Sequence, residues 1–172
     1  MKTSDSIFLR ALNKESLEIP PIWYMRQAGR YMPEYRAVRK KFKNFLDMCK
    51  NPEVCCELAL QPINAFNLDA SILFSDILTI PDAFGLGVEF LEGEGPVFKN
   101  PIKTPKDISS LPEFNPDDLS YVYEAVSNIK RALPKNIPLI GFCGSPWTLA
   151  AYSIEGRSSK EFNYTKDFIS QN

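Results

Sequence analysis

Short apolar runs alternate with helix-like segments along this chain, and the runs do not alternate apolar with polar side chains. The clearest runs are residues 70–74 and 138–143, and residues 21–26 form a third. Strands that are covered on both faces have this composition, and strands separated by helices favour a parallel sheet joined by crossover helices. The pattern predicts an α/β fold rather than a helical bundle or a β-sandwich.

Proline and acidic residues mark where the helices begin. Pro33 with Glu34, and Pro52 after Asn51, have the composition of first helical turns. A lead-in helix is expected at residues 5–12, and a helix that begins at residue 117 is expected to be followed by the strand at 138–143. The side chains expected to face inward from the helix at residue 52 and from the helix at residue 117 are Val54, Cys55, Leu58, Phe66, Leu119, Val122, Val126, Ile129 and Leu133.

Two further segments have turn chemistry. Residues 87–98 contain glycines about a Glu-Gly-Glu-Gly turn, which predicts a β-hairpin, and residues 100–116 are rich in proline and predict a connector. A turn at residues 144–147 is expected to lead from the strand at 138–143 into a helix that contains Tyr152. Trp147 in this turn is interpreted as a core or interface anchor rather than a platform for stacking.

Composition limits the classes of partner. The formal net charge is −1, so the chain lacks the broad basic field that binding to nucleic acid requires. No apolar run of about 18 residues predicts a membrane span, and the N-terminus has no apolar core of signal-peptide length. These features predict a cytoplasmic protein with reduced thiols.

The cysteines do not form a metal-binding pattern. Cys49, Cys55, Cys56 and Cys143 include no Cys-x-x-Cys pair, and the chain contains no histidine. The usual zinc ligand sets therefore cannot be assembled within it, and no metal site is predicted. Cys55 and Cys56 are interpreted as small helix residues beside the core rather than as nucleophiles.

A cluster of guanidinium groups follows the first apolar run. Arg26 and Arg30 lie four residues apart beside Gly29, and Arg36 follows closely. Arginine stays charged at any working pH and presents a planar fork of donors that matches carboxylate or phosphate. A site for a small polyanion and a solvated basic turn are both compatible with this spacing.

Three segments carry a resemblance to a known family. Residues 25–36 (MRQAGRYMPEYR) resemble the first signature of the uroporphyrinogen decarboxylase family, and residues 141–152 (GFCGSPWTLAAY) resemble its second. Residues 73–78 (LFSDIL) resemble the strand of that family that carries an aspartate. The segments occur in the order and spacing of the family, and similarity extends from about residue 21 to residue 156.

The resemblance implies a fold and an activity. The fold is a (β/α)8 TIM-type barrel, of which this chain would be the N-terminal portion. The activity is that of a carboxy-lyase, which removes the four acetate carboxyls of uroporphyrinogen III to give coproporphyrinogen III in haem and tetrapyrrole biosynthesis. The family implies no cofactor, because the electron-rich substrate serves as its own electron sink. It also implies a cytoplasmic homodimer, with no nucleic-acid or membrane partner.

The resemblance also assigns roles to residues. The carboxylates of the substrate would be bound by the segment that consists of Arg26, Gln27, Ala28, Gly29 and Arg30. Asp76 would receive the pyrrole NH groups and stabilise the cationic ring, with Arg26 and Tyr152 as further catalytic residues. From its position alone, at the end of the run at 70–74, Asp76 is a candidate for function, and a helix cap or a loop hydrogen bond is the alternative.

Length leaves the activity of this chain open. A barrel of this type needs about 250 residues, and the chain has 172. Residues 158–172 begin like a capped helix and end without a glycine or a following strand, so residues 1–172 are expected to form the N-terminal part of a single barrel domain that is truncated at its C-terminus. Two alternatives remain: an inactive fragment or anion-binding remnant, and a corrinoid-linked methyltransferase of the same superfamily.

Overall fold

The fold combines helices with very short strands. The computed structural model describes residues 6–25, 27–91 and 93–171. The α-helices in this part of the chain are α1 (Ile7–Leu12), α2 (Pro33–Arg39), α3 (Phe45–Cys49), α4 (Pro52–Ala65), α5 (Thr79–Ala83), α6 (Pro105–Ser109), α7 (Ser120–Ala132), α8 (Pro146–Glu155) and α9 (Asn163–Gln171). The strands are β1 (Ser71–Ile72), β2 (Val88–Leu91), β3 (Gly95–Phe98) and β4 (Leu139–Ile140).

The predicted helix starts are confirmed. Pro33 and Pro52 occupy the first turns of α2 and α4, where the missing proline N–H costs no hydrogen bond. The Asn51 side chain caps α4 by accepting a hydrogen bond from the Val54 amide at 3.0 Å. The Ser145 side chain likewise caps α8 by accepting a hydrogen bond from the Thr148 amide.

The parallel sheet is confirmed, although its strands are shorter than predicted. Ser71 pairs with Leu139 and Ile72 with Ile140, and β1 runs parallel to β4. Hydrogen bonding continues one residue further at each end, since the Ser71 amide donates to Pro138 O and the Leu73 amide to Ile140 O. The runs at 70–74 and 138–143 therefore contain strands, but only their first halves pair.

The strand predicted at residues 21–26 is wrong for residues 21–25, and Arg26 lies outside the described residues. The Asp69 amide donates to Ile22 O at 2.9 Å, which places this segment beside the residues that lead into β1. The Ile22 amide, however, donates to the Asp69 carboxylate at 2.7 Å instead of to a strand carbonyl. A side chain thus replaces the next bond of the ladder, and no strand forms.

The hairpin is confirmed. Strands β2 and β3 pair antiparallel, with Val88 opposite Phe98 and Leu91 opposite Gly95. Gly95 has φ of +85°, a left-handed conformation that a side chain would strain. The glycine-rich composition of this turn therefore follows from its backbone geometry.

The chain divides into two compact units, which are described separately. The first comprises Met1–Lys43, Asp47–Ser75 and Tyr121–Phe142, and the second comprises Asn44–Leu46, Asp76–Ser120 and Cys143–Asn172. The buried core of the first unit is Cys55, Ala59, Leu73, Ala125, Ile129 and Leu133. The buried core of the second unit is Leu46, Leu78, Leu86, Val88, Phe98, Ile102 and Ile154.

Most inward-facing predictions are confirmed, and the one for Phe66 is wrong. Val122 and Val126 pack against the first core, whereas Phe66 is 48% exposed because α4 ends one residue before it. Trp147 is 64% exposed, so it is not part of a core. It lies in the first turn of α8, whose buried residues, Ser153 and Ile154, are near the other end.

The segment at 100–116, predicted from its proline content to be a connector, contains the short helix α6. The carboxylate of Asp107 accepts hydrogen bonds from the amides of Thr104 and Lys103 at 2.7 and 2.9 Å, which stabilises the start of α6.

None of the helices in the described ranges is long and apolar enough to cross a membrane.

Candidate functional site

The predicted anion-binding residues lie in a turn of the first unit, between residue 25 and α2. Arg26 is outside the described residues, so the observations concern Gln27, Ala28, Gly29 and Arg30. We call residues 27–32 the arginine turn. Ala28 and Gly29 are half-buried, Arg30 is exposed and Gln27 is buried.

Backbone hydrogen bonds close the arginine turn and join it to α2. The Met32 amide donates to Gly29 O at 2.9 Å, and the Tyr31 hydroxyl donates to Gln27 O. Arg36, on α2, donates from Nη1 to Arg30 O at 3.3 Å. The main chain at Arg30 is thus fixed from two sides.

The guanidinium of Arg30 is available to a ligand. Among residues 6–25, 27–91 and 93–171, its side chain makes no hydrogen bond and no ion pair. An exposed guanidinium presents a planar fork of donors that matches a carboxylate. The geometry is compatible with the predicted anion-binding role.

Tyr35 lies next to this cation and was not anticipated from the sequence. It is buried on α2, and its ring lies 6.1 Å from that of Phe74. Burial raises the pKa of Tyr35 above its usual value, and the charges of Arg39 and Arg30 act in the opposite direction. The four-residue spacing from Tyr35 to Arg39 on a helix face was the available signal.

Asp76 lies in the second unit, four residues beyond β1 along the chain. Its Oδ1 accepts a hydrogen bond from the Leu78 amide at 2.8 Å. Burial raises the pKa of Asp76, and the hydrogen bond from Leu78 lowers it less. Within the part of the chain that the structure describes, the carboxylate has no cationic partner. The interpretation of Asp76 as a residue with a loop hydrogen bond is therefore confirmed, and its catalytic role stays a prediction.

Thr79 supports the loop around Asp76 and was missed at the sequence level. Its hydroxyl and its amide both donate to Asp76 O, at 2.9 and 3.4 Å. The acceptor is the main-chain carbonyl of Asp76, so this contact does not depend on the aspartate side chain, and α5 begins at Thr79. No sequence motif marks such a contact, which is known only from the fold.

Tyr152 lies on α8 in the same unit as Asp76. It is half-buried, packs against the core of the second unit and meets the ring of Phe162 edge-on at 5.9 Å. Ile77, the neighbour of Asp76 in the chain, packs against the same core. The phenol of Tyr152 makes no hydrogen bond among the described residues, so its hydroxyl remains free to bind a ligand.

Gly144 allows the loop before α8 to approach the segment after Asp76. A Cβ atom at Gly144 would lie 2.6 Å from Leu149 Cδ2 and 3.2 Å from Ile77 Cβ. Gly141, three residues earlier, has no atom within 4 Å of such a Cβ. A side chain at position 144 would therefore meet those of Leu149 and Ile77, whereas the space beside Gly141 is open.

We expect Gly144→Ala to destabilise the protein by about 1–3 kcal/mol, because the added methyl group overpacks a site where Leu149 and Ile77 must move. Urea unfolding followed by circular dichroism measures the change. Gly141→Ala is the matched control and should shift the free energy of unfolding by less than about 1 kcal/mol. Equal losses in the two variants would contradict the packing described here.

The cysteines of the first unit are structural. Cys55 is fully buried, and its thiol donates to Cys49 O at 3.2 Å and to Met48 O at 3.6 Å. Burial raises the pKa of Cys55 to about 12, and Cys56 packs against the core of this unit. Because a nucleophilic cysteine needs an accessible thiolate, the interpretation of these residues as packing residues is confirmed.

Comparison with known proteins gives the family. The model of the uroporphyrinogen decarboxylase (URO-D) family matches residues 3–172. A uroporphyrinogen decarboxylase of Francisella philomiragia is 56% identical over 168 residues, which are 96% of this chain and 48% of the relative. One of Pseudomonas putida is 59% identical over 160 residues, which are 92% of this chain and 45% of the relative. This chain belongs to the uroporphyrinogen decarboxylase family, and it spans about half the length of these curated relatives.

A solved structure supports the fold class. A methyltransferase from Methanosarcina mazei matches with a TM-score of 0.64 and 20% identity, over 99% of this chain and 51% of the methyltransferase. At this identity the likeness concerns the fold alone. The family and this structural match together indicate a fold of the TIM-barrel type, of which the chain contains a part with helices and small sheets.

Proposed function

We propose that the whole protein, meaning this chain with any sequence contiguous with it, is a uroporphyrinogen decarboxylase. It would convert uroporphyrinogen III to coproporphyrinogen III without a cofactor. Family membership over residues 3–172 carries this proposal, because relatives 56 and 59% identical bear that name. The exposed guanidinium of Arg30 and the desolvated carboxylate of Asp76 are chemically suited to a polycarboxylate that contains pyrrole NH groups.

We propose further that residues 1–172 supply the N-terminal part of a single (β/α)8 barrel domain. The parallel pairing of β1 with β4, with helices between them in the chain, is the arrangement of such a barrel. The chain also covers about half of the relatives and half of the similar methyltransferase. A cytoplasmic homodimer that binds neither nucleic acid nor membrane completes the proposal.

Asp76 has the central role in the proposed reaction. Its carboxylate would accept hydrogen bonds from the pyrrole NH groups and stabilise the positive charge that appears when a ring carbon is protonated. The cationic ring then accepts the electron pair of the breaking carbon–carbon bond, and the acetate carboxyl leaves as carbon dioxide. Protonation of the methylene carbon that remains, with loss of the proton first added to the ring, gives the methyl group and restores the pyrrole. A carboxylate that is already desolvated stabilises such a cation strongly, because little water has to be displaced when the charge develops.

The remaining predicted residues would bind and orient the substrate. Arg26 and Arg30 would pair with its carboxylates, with help from Gln27, Ala28 and Gly29, and Tyr152 would hydrogen-bond the substrate or the aspartate. Arg26 is also a candidate for ordering the proton donor, since arginine at its usual pKa is a poor acid. These roles rest on the family motifs and on the free side chains of Arg30 and Tyr152.

Anaerobic incubation with uroporphyrinogen tests the proposal. The whole protein, and this chain with and without the C-terminal half of the Pseudomonas putida relative, are assayed for coproporphyrinogen by chromatography after oxidation. Turnover by the whole protein supports the proposed activity. Binding of the substrate without turnover in every sample would instead identify an anion-binding remnant.

We expect Arg30→Met to raise KM for uroporphyrinogen about tenfold and to change kcat little, because it removes a carboxylate contact that is present in both the ground and transition states. Steady-state kinetics at several salt concentrations measures this, and the difference from the unmodified protein should shrink as salt screens the charge. Lys40→Met, which removes an exposed cation at the end of α2, is the matched control. Equal KM values for the two variants would remove Arg30 from the binding site.

A further inference from the structure

The side chain of Gln27 makes a hydrogen bond within the protein at each end of its carboxamide. Its Oε1 accepts a hydrogen bond from the Tyr24 amide, and its Nε2 donates one to Ala70 O, both at 3.2 Å. A backbone amide can only donate and a carbonyl can only accept, so these partners fix which end of the carboxamide is which. The residue is 2% exposed.

These bonds connect two parts of the first unit that are distant in sequence. Ala70 immediately precedes β1, and Gln27 is the first residue of the arginine turn. Two further hydrogen bonds join the same regions: the Asp69 amide donates to Ile22 O, and the Ile22 amide donates to the Asp69 carboxylate. Gln27 therefore attaches the arginine turn by a hydrogen bond to the residue that precedes β1.

The main chain of Gln27 is also held by hydrogen bonds, so a displacement of Gln27 would be passed along the turn to Arg30. The Tyr31 hydroxyl donates to Gln27 O, and the Met32 amide closes the turn on Gly29 O. Arg30 lies between these contacts and is free only at its guanidinium. A change in the anchor at Gln27 would alter the direction in which this guanidinium is presented.

We infer that Gln27 is a positioning residue, whose buried carboxamide fixes the arginine turn to the residue before β1 and so orients Arg30 toward a carboxylate of the substrate. This inference rests on the proposed function, and it refines the expected role of Gln27 from a substrate contact to a support for one. Its engaged side chain explains why a glutamine, with one acceptor and one donor, suits this position.

A double-mutant cycle tests the inference. Gln27→Met removes both hydrogen bonds and keeps the length of the side chain, and it should raise KM about tenfold with kcat nearly unchanged. The double variant with Arg30→Met should have the kcat/KM of Arg30→Met alone within about twofold, because Gln27 acts through Arg30. Multiplying losses would overturn the inference, since they indicate a direct substrate contact or a general structural effect. Gln61→Met on α4 is the matched control and should leave KM unchanged.

A second variant covers the case in which Gln27→Met fails to fold. At neutral pH the carboxylate of Gln27→Glu can accept from the Tyr24 amide but cannot donate to Ala70 O, whereas its protonated form can do both. The ratio of its KM to that of the unmodified protein should therefore fall toward one as the pH is lowered. A ratio that does not depend on pH would contradict the assigned role.

Binding separates this inference from the proposed reaction. The same cycle is measured with uroporphyrin, the fluorescent oxidised form of the substrate, by fluorescence titration. If the unmodified protein shows no turnover, the proposed reaction fails, but non-additive losses of uroporphyrin affinity still support the role of Gln27. Additive losses of affinity alongside normal turnover would reject the role of Gln27 alone.

Discussion

Asp76→Asn should reduce kcat for uroporphyrinogen by about 100-fold or more in the whole protein while leaving KM within a few fold. The substitution removes the negative charge that stabilises the cationic ring in the transition state, and losses of this size follow when a preorganised electrostatic contact is removed. Asparagine retains Oδ1, so the hydrogen bond from the Leu78 amide can persist. Anaerobic steady-state kinetics measures the effect.

The same variant should fold at least as stably as the unmodified protein at pH 7. Burial raises the pKa of Asp76 above 3.8, so the ionised carboxylate is disfavoured in the folded state relative to the unfolded one. This cost is absent below the unfolded-state pKa and is fully present above the raised folded-state pKa, so a neutral asparagine removes it at pH 7. A thermal melt that shows an intact fold separates a loss of chemistry from a loss of structure.

Asp117→Asn is the control for the change of charge. Asp117 is exposed in the 3₁₀ helix Pro116–Leu119, and its substitution should leave kcat within about twofold. Near-normal turnover by Asp76→Asn would remove this aspartate from the reaction. A large loss in both variants would point to net charge rather than to the site.

Local chemistry explains what the sequence predicted well. Asn51 caps a helix because its side chain reaches an amide three residues ahead, and Gly95 turns a hairpin because it has no Cβ. The parallel pairing of β1 with β4 followed from apolar runs separated by helices. Each of these features depends on a few neighbouring residues or on a regular pattern, so they could be read before the structure was known.

Tertiary context explains what the sequence did not show. The segment at 21–25 has the composition of a strand, but the Asp69 side chain takes the amide that a strand would use. Phe66 fits the inward spacing of α4, yet the helix ends before it. Such outcomes depend on residues far away in the chain or on where a helix stops, and periodicity does not encode either.

The sequence predicts which residues form the candidate site, but it does not show which residues hold them in place. The family motifs predict roles for Arg30, Asp76 and Tyr152, and the structure describes the contacts that each of these residues makes. The supporting contacts of Gln27 and Thr79 are a buried amide and a loop hydroxyl, which no motif distinguishes from other polar residues. Supporting residues are identified by their hydrogen-bond partners, and these are known only from the fold.

Ile129→Ala should destabilise the protein by about 3 kcal/mol, within the range of about 2–5 kcal/mol for large-to-small changes in a core. Ile129 is fully buried on α7 in the core of the first unit, so truncation removes apolar contacts and leaves a cavity. Urea unfolding followed by circular dichroism measures the free energy, with Ile108→Ala as the control. Ile108 is 49% exposed on α6, and the same truncation there should cost less than about 1 kcal/mol. A larger loss at Ile108 than at Ile129 would mean that α7 does not pack as described, because the two variants differ only in how buried the removed atoms are.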